Sequence, residues 1–587
     1  MSSVPSAQAT PAAVATSPVS RLRQFAAPAA VLLLAILLWA PRWSGPLDLR
    51  FDAGVYYLLG TSLSEGMGYR LLNEPGAISG IQYPPFLPLL VAVHQWVLRT
   101  TDAWTVASAM RTTYAVIFLL YALAVFMLAR RWLTSWPAAA ATALCLLSLH
   151  TYFLSDLLFA ELPFALVSVV FVLVATAPGH ETVPRRRTWA LFALGSTAFF
   201  LRTAGLALFA GWALEALLRR QWRQLALRIG LAALPFAAWQ GYIWFVKAHP
   251  TYTQPHYSYQ RAPYQFYNVT YSENLELVDP FQPELGYVGI GDVIHRVFDN
   301  MAAMPRALAE ASSLQHGYWR RPIGRFQERL FGKRFWLDPL AAIPVVAFTL
   351  LVPLGLVLLA WRRSWILVGI VVATVGLVCL TPWPGQFQRY LSPLAPFLTL
   401  AVVLALLFLR DQCAERSPGT RRWVTGLVGL LLVTTLLAQT WTARRLFQVR
   451  NEEGRTYVSA AEPHGPGLFF HDEGWREWEQ AAEWINLNTP TQAVVATSSP
   501  HLLHILTNRM AVMPPMEVNP TRARELLAEV PVTHVIVDSL EFIDISRRYA
   551  LPALAEAPEV WRVVHTIGNT QIYASIDSGA KGGGSNP

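Results

Sequence analysis

Along most of this chain, apolar stretches of about 20 residues alternate with short polar loops, the length a helix needs to cross roughly 30 Å of hydrocarbon. Eleven such stretches are read, near 25–43, 105–129, 137–154, 160–177, 188–203, 203–218, 227–246, 338–360, 364–381, 391–409 and 423–441. Inside a bilayer only helices and closed barrels satisfy every backbone group, and runs of this length predict helices. The fifth and sixth stretches are short and read as one broken hairpin around Arg202. A further apolar run, Tyr83-Pro84-Pro85-Phe86-Leu87-Pro88-Leu89-Leu90, is too short and proline-rich to span, and predicts a helix lying at the interface. Apolar positions three and four apart at Val293, Val297, Met301, Met304 and Leu308 predict an amphipathic helix over 291–313, lying across the site.

Beyond residue 441 the pattern changes. Glu477–Leu487 and Thr521–Leu527 read as helices, and short apolar runs at 493–496, 534–537, 561–565 and 571–574 read as strands, which predicts a small α/β domain over 442–577. Asp472, Glu473, Glu477 and Glu479 are expected to form a solvated helix face. Residues 1–20 and 578–587 lack core-forming residues and are expected to be disordered and flexible.

Composition agrees with a membrane protein: 54% of residues are hydrophobic and only 14% charged. Arginines fix the orientation, because short cytoplasmic loops are enriched in them. Arg21 and Arg23, Arg130 and Arg131, Arg185 to Arg187, Arg219 and Arg220, Arg362 and Arg363, and Arg421 and Arg422 fall on alternate loops. Lys247, Arg444 and Arg445 are exceptions at outer span ends. The reading is a mainly α-helical polytopic protein of the plasma (inner) membrane, with about eleven spans, its amino terminus inside and its carboxy terminus outside. The membrane domain covers 21–441, with exported loops near 44–104 and 247–337, and the first span doubles as an uncleaved signal anchor. Much of the net charge of +9 is topological, so no nucleic acid is invoked. The three cysteines make no exported disulfide framework.

The exported face holds the chemistry. Asp52 follows the first span directly, where a carboxylate meets the membrane surface; as the first residue before an amphipathic stretch it also suits a helix N-cap. Asp156 and Glu161 form a second acidic point on that face, suited to holding a divalent metal or orienting an acceptor, while Glu161 also suits the start of a helix. Arg202 and Arg389 lie at outer ends of spans, where an arginine is costly unless paired or near water. Lys247 is similarly placed and also suits a helix anchor; Arg111 suits an anchor or an ion pair. Tyr252, Tyr257, Tyr259, Tyr264, Phe266, Tyr267 and Tyr271 crowd one exported loop, most of them expected at the membrane interface. His249, His256, His295 and His316 have no zinc-ligand spacing, and no metal site is assigned.

An Asp just beyond the first span, Gly66-Met67-Gly68-Tyr69, the Tyr83 to Leu90 run, Ser155 to Phe164, Phe200 to Gly205 and Arg389-Tyr390-Leu391-Ser392-Pro393 occur in this order on one predicted membrane side. Together they resemble the GT-C superfamily of membrane glycosyltransferases, in particular the aminoarabinose transferase and protein O-mannosyltransferase group. The resemblance implies a polyprenyl-phosphate sugar donor consumed at the outer face and an envelope acceptor (lipid, glycan or protein). It implies Asp52 as the catalytic base, Arg202, Arg389 and Lys247 beside the donor phosphate, and Tyr83, Asp156, Glu161 and Tyr390 as substrate-binding. The Asp-Glu or Asp-x-Asp pair of some relatives is replaced here by Asp52-Ala53-Gly54, so no cofactor is carried over. An oligosaccharide ligase or polymerase of the same superfamily, and a transporter of lipid-linked sugars, are the alternatives; a transporter would place its ionisable residues near the midplane and show paired repeats, which this sequence does not.

Overall fold

The computed structural model describes residues 18–177, 185–314, 338–414, 418–452, 467–540 and 544–576. The expectations for 1–17 and 577–587 lie outside these residues. Pro18–Trp39 is a helix, so the expected disordered segment already gives way to structure at its last residues.

All eleven apolar stretches fall on helices. Six helical segments among the described residues are long and apolar enough to cross a membrane: Phe25–Arg42, Ala103–Ala129, Trp222–Ala248, Pro344–Trp361, Pro384–Cys413 and Gly419–Glu452. Others are apolar but shorter, including Ser135–Leu146, Glu161–Ala175 and Trp365–Cys379. Large apolar side chains such as Leu37, Leu120, Phe245, Leu350 and Leu427 point outward and exposed. A surface of that kind is stable against lipid, and the protein is an integral membrane protein. Phe86–Leu98 is 13 residues, about 20 Å at the usual helical rise, too short to span. Ile290–Ser312 is amphipathic as expected, with Ile290, Ile294, Phe298 and Met301 exposed along one stripe and Met304 and Ala307 buried.

The break at Arg202 is sharp. Arg185–Leu201 ends there, Arg202 is extended at φ −151°, and a turn over Thr203–Gly205 starts Leu206–Leu218. Gly205 is obligatory at this return, because a Cβ there would lie 2.4 Å from the Phe199 nitrogen. The reversal leaves Arg202 at the exposed tip of the pair rather than inside either helix.

The α/β domain has a five-stranded sheet in the order β2-β1-β3-β5-β4, with β1 Val494–Ala496, β2 Met510–Val512, β3 His534–Val537, β4 Trp561–Ile567 and β5 Thr570–Ser575. β1 pairs in parallel with β2 and β3, and β5 runs antiparallel to β3 and β4. The acidic cluster is a solvated face only in part: Asp472 and Glu473 are exposed, with Asp472 capping Glu473–Asn488 through the Trp475 amide, whereas Glu477 and Glu479 are buried. Glu479 meets His471 at 2.9 Å, and Glu477 accepts from the Asn569 amide and the Thr570 hydroxyl of the β4–β5 turn. Glu477 is thus consumed by a turn about 90 residues later in the chain, which no local pattern reveals.

The domain sits directly on the loops near 48–83 and 254–289. Asn73 exchanges two hydrogen bonds with Ala511 in β2, Arg50 donates to the carbonyls of Phe469 and Phe470, and Phe51 meets the Trp475 ring edge-on at 5.5 Å. Ser258 donates to Glu529, and Glu284 takes the Tyr549 hydroxyl at 2.8 Å.

Candidate active site

The segment after the first long helix is pinned before it reaches Asp52. Asp48 donates its amide to the Asp156 carbonyl and accepts from the Leu158 amide, joining the loops near 48 and 157 as a short parallel bridge. Arg50 grips Asp48 at 2.7 Å. Phe51 then takes φ 60°, a left-handed conformation that is costly for a bulky residue and persists only where the surroundings impose it. Phe51 occupies the N-cap position of Asp52–Ser64, so Asp52 is the first helical residue and not the expected cap, and no side chain caps this helix. The Asp52 carboxylate is therefore free of any capping duty. An acid in the first turn still lies favourably in the helix dipole.

Asp52 faces a cluster assembled from four distant segments. Arg389 bridges the acids, donating from Nη2 to Asp52 Oδ2 at 2.5 Å and from Nε to Glu161 Oε1 at 2.6 Å. Its guanidinium stacks over Phe159 at 4.2 Å, which fixes the plane of the fork. Arg202 pairs with the same Glu161 oxygen at 2.5 Å and lies over Tyr390 at 5.9 Å. Two acids and two arginines make the cluster formally neutral. Burial separates their roles: the Glu161 side chain is 3% exposed, whereas Asp52, Arg389 and Arg202 are 16–17% exposed and can meet a ligand. Tyr267 stands beside Asp52, and burial first, then the negative charge of Asp52, hold that phenol well above its ordinary pKa. Tyr83 stands beside Asp52, its ring 4.7 Å from that of Tyr56 and its carbonyl held by the Tyr69 hydroxyl. Tyr390 stands beside Tyr271. Behind Glu161 a small cleft is lined by His150, Thr151, Ser155 and Ser392 among others, and Glu161 Oε2 finds no partner among the described residues.

Asp52, Glu161, Arg202, Arg389, Tyr83 and Tyr390 thus come together. Asp156 and Lys247 do not. Asp156 is 1% exposed and locked by Arg111 at 2.6 Å and Arg450 at 3.4 Å, with Arg42 nearby on the Tyr152 carbonyl and the Ser155 hydroxyl. Burial alone would raise its pKa, but Arg111, Arg450 and Arg42 overcome it and hold the carboxyl down at about 2. Arg111 also ties the carbonyls of Arg42, Gly45 and Pro46, so this network splices the first, second and last long helices to the loops near 45 and 156 and leaves Asp156 no room for substrate. Lys247 pairs with Glu273 at 2.8 Å; Glu273 completes a capping box with Thr270, which sets Tyr271 against Tyr390. Its part is to support that turn.

A divalent ion does not fit this arrangement. The Arg389 guanidinium fills the space between Asp52 and Glu161, Asp156 is turned into its own arginine network, and among the described residues no three His, Cys, Asp or Glu side chains converge.

The sequence pattern missed Tyr267 and Tyr271 as members of the site, because seven aromatics in one loop read as an interface belt. In the structure Tyr257 and Tyr259 pack into the α/β core instead, and Phe266 joins Met513 and Met516.

No protein-family model and no curated protein matches the chain. Solved structures do. ArnT from Cupriavidus metallidurans bound to undecaprenyl phosphate superposes with a TM-score of 0.50 at 15% identity, covering 96% of this chain and 99% of that one. The same protein in the apo state gives 0.51 at 15% identity over 95% and 99%. The archaeal oligosaccharyltransferase AglB from Archaeoglobus fulgidus, in complex with an inhibitory peptide and a dolichol-phosphate, gives 0.51 at 13% identity over 95% of this chain and 75% of that one. The chain has the GT-C fold. At this identity the likeness fixes the architecture, and the chemistry rests on the residues of the cluster.

Proposed function

We propose that this protein is an inverting glycosyltransferase that moves a monosaccharide from a polyprenyl-phosphate donor to an envelope acceptor at the outer face of the membrane. The observation that carries the reading is the cluster of Asp52 with Arg389 and, through Glu161, Arg202: a partly exposed carboxylate and two partly exposed arginines, all within reach of ligand. Asp52 takes the proton of the acceptor hydroxyl as its oxygen attacks the anomeric carbon. The bond from that carbon to the phosphate oxygen breaks with its electron pair going to phosphate, where Arg389 and Arg202 meet the growing charge. One carboxylate suffices, no covalent intermediate forms, and the anomeric centre inverts.

Asp52 is paired with Arg389 before substrate arrives. The donor phosphate offers Arg389 a second anion. Sharing the guanidinium with phosphate loosens its hold on Asp52 and prepares the base only when donor is present. Glu161, nine-tenths buried and paired to both arginines, keeps them in place through the exchange. A monosaccharide donor is favoured over an oligosaccharide diphosphate because the chain matches ArnT over nearly its whole length, and the archaeal oligosaccharyltransferase over three quarters.

Asp52→Asn tests the reading. The variant keeps size and hydrogen bonding but cannot take the proton, so turnover falls about 10²- to 10⁴-fold while donor binding persists. Near-normal turnover overturns the assignment. Mass spectrometry of lipids copurifying with the protein identifies the prenyl carrier and the sugar.

A further inference from the structure

The α/β domain reaches the site through one short helix. Pro500–Thr507 packs on Asp52–Ser64 so closely that a Cβ on Gly54 would stand 3.2 Å from the Cβ of His501 and 3.5 Å from the Leu502 nitrogen. Gly54 follows Asp52 by two residues, so this contact lies at the first turn that presents the carboxylate. His501 is 4% exposed, and its ring meets that of Tyr267 at 4.6 Å and 81°, the edge arrangement favoured by aromatic quadrupoles. Tyr267 in turn stands beside Asp52, close enough to feel its charge. The contacts run in a line from domain to base: His501, Tyr267, Asp52.

We infer that His501 is a positioning residue for transfer, its ring holding the Tyr267 hydroxyl beside Asp52 and making the α/β domain part of the reaction centre. The inference rests on the reading of Asp52 as the base. Tyr267 comes from a long irregular loop, and its own neighbours Gln265 and Asn268 are fixed by loop hydrogen bonds rather than by a helix or sheet. A ring on a loop needs walls if its hydroxyl is to stay beside a carboxylate: Val55, Leu59, Leu71 and Ile78 form an apolar cluster against which it packs, and His501 closes on it edge-on from the α/β domain. Burial, with His504 adding to it, drives the imidazole down to about 3, so it is neutral and adds no charge beside Arg389. Its Nε2 has no partner among the described residues. The ring surface is therefore what the site uses, and another flat ring should replace it.

The test uses the purified full-length protein and a panel of synthetic polyprenyl-phosphate monosaccharides, reading release of free sugar with water standing in for the acceptor hydroxyl. His501→Leu keeps most of the volume without the ring; kcat should fall about 10- to 100-fold, the scale set by a misplacement near 1 Å, with donor KM nearly unchanged. His501→Phe should restore kcat to within a few-fold of the parent. Tyr267→Phe should match the loss in His501→Leu, and combining the two should cost little more than either, because both act through one hydroxyl. Parental kcat in His501→Leu, equal losses for Leu and Phe, or fully additive losses overturn the inference. If His501→Leu does not fold, undiminished kcat in Tyr267→Phe overturns it alone, and a matching loss there with His501→Phe intact upholds it. Asp52→Asn separates the two levels: an active Asp52→Asn overturns the base and this inference together, whereas an inactive one beside any overturning result above removes only His501.

Discussion

Arg389 touches both acids of the site, whereas Arg111 touches an acid that substrate never reaches, so deleting each should damage the protein differently. Arg389→Ala removes a donor aimed at the leaving phosphate, and such losses run to about 10²- to 10³-fold in rate. Arg111→Ala leaves Asp156 buried with Arg450 as its remaining close partner, and breaking a buried pair costs roughly 3–5 kcal/mol. The expected pair of results is a fall in kcat/KM with little change in melting temperature for Arg389→Ala, and the reverse for Arg111→Ala. Thermal unfolding and donor kinetics on the two purified variants check this, and interchanged outcomes would return Arg389 to a structural role. The charged members of the site were legible in the sequence because an ionisable residue at the end of an apolar stretch is conspicuous. Tyr267 and His501 were not. Their meaning lies in contacts across about 200 residues of chain, and nothing in the local spacing of either marks it.

At the scale of elements, what was legible followed from the strength of the local pattern. Helices of 20 residues or more and strands such as Trp561–Ile567 announce themselves by runs of apolar or β-branched residues. Strand β2 is three residues long and Pro500–Thr507 eight, with two histidines, and neither rises above its surroundings. The loop after β3 carries a pH-sensitive point. Asp538 is almost fully buried, with Oδ2 accepting from the Ser498 hydroxyl at 2.6 Å and Oδ1 from the Leu540 amide. Burial outweighs these donors and raises its carboxyl to about 6. A folded pKa above the unfolded one means the native state holds the proton longer, so this contribution is complete below about pH 4 and is lost as pH rises through about 6. Asp538→Asn removes the ionisation. The variant should gain melting temperature relative to the parent at pH 7 and show no gain at pH 4.5; an equal change at both pH values would assign the effect to packing instead.

For the whole molecule, the two ends of the helix bundle differ in kind. At one end Arg131 reaches Thr176 and Trp132 reaches Ser364, bringing together the turns near 130, 176 and 364, with Arg130, Arg185 and Arg362 close to them in sequence. Ala103–Ala129 runs from that end to the other, about 40 Å by its 27 residues, where Arg111 joins Asp156 and the loops carrying Asp52 and the α/β domain begin. Arginine-rich short loops at one end and the acid–arginine cluster at the other are what a membrane enzyme presents when its donor is made inside and consumed outside. The orientation is testable without any substrate. In a Cys413→Ser background, with Cys145 and Cys379 buried, single exposed cysteines can be introduced by Glu65→Cys, Ser272→Cys and Val518→Cys on the site side and by Arg185→Cys and Arg362→Cys on the other. In intact cells an impermeant maleimide should label the first three and spare the last two, and permeabilised cells should label all five. Labelling of Arg185→Cys and Arg362→Cys in intact cells, with the other three protected, would place Asp52 on the cytoplasmic side. The donor would then be used where it is made, and the proposed transfer at the outer face would fail with the topology.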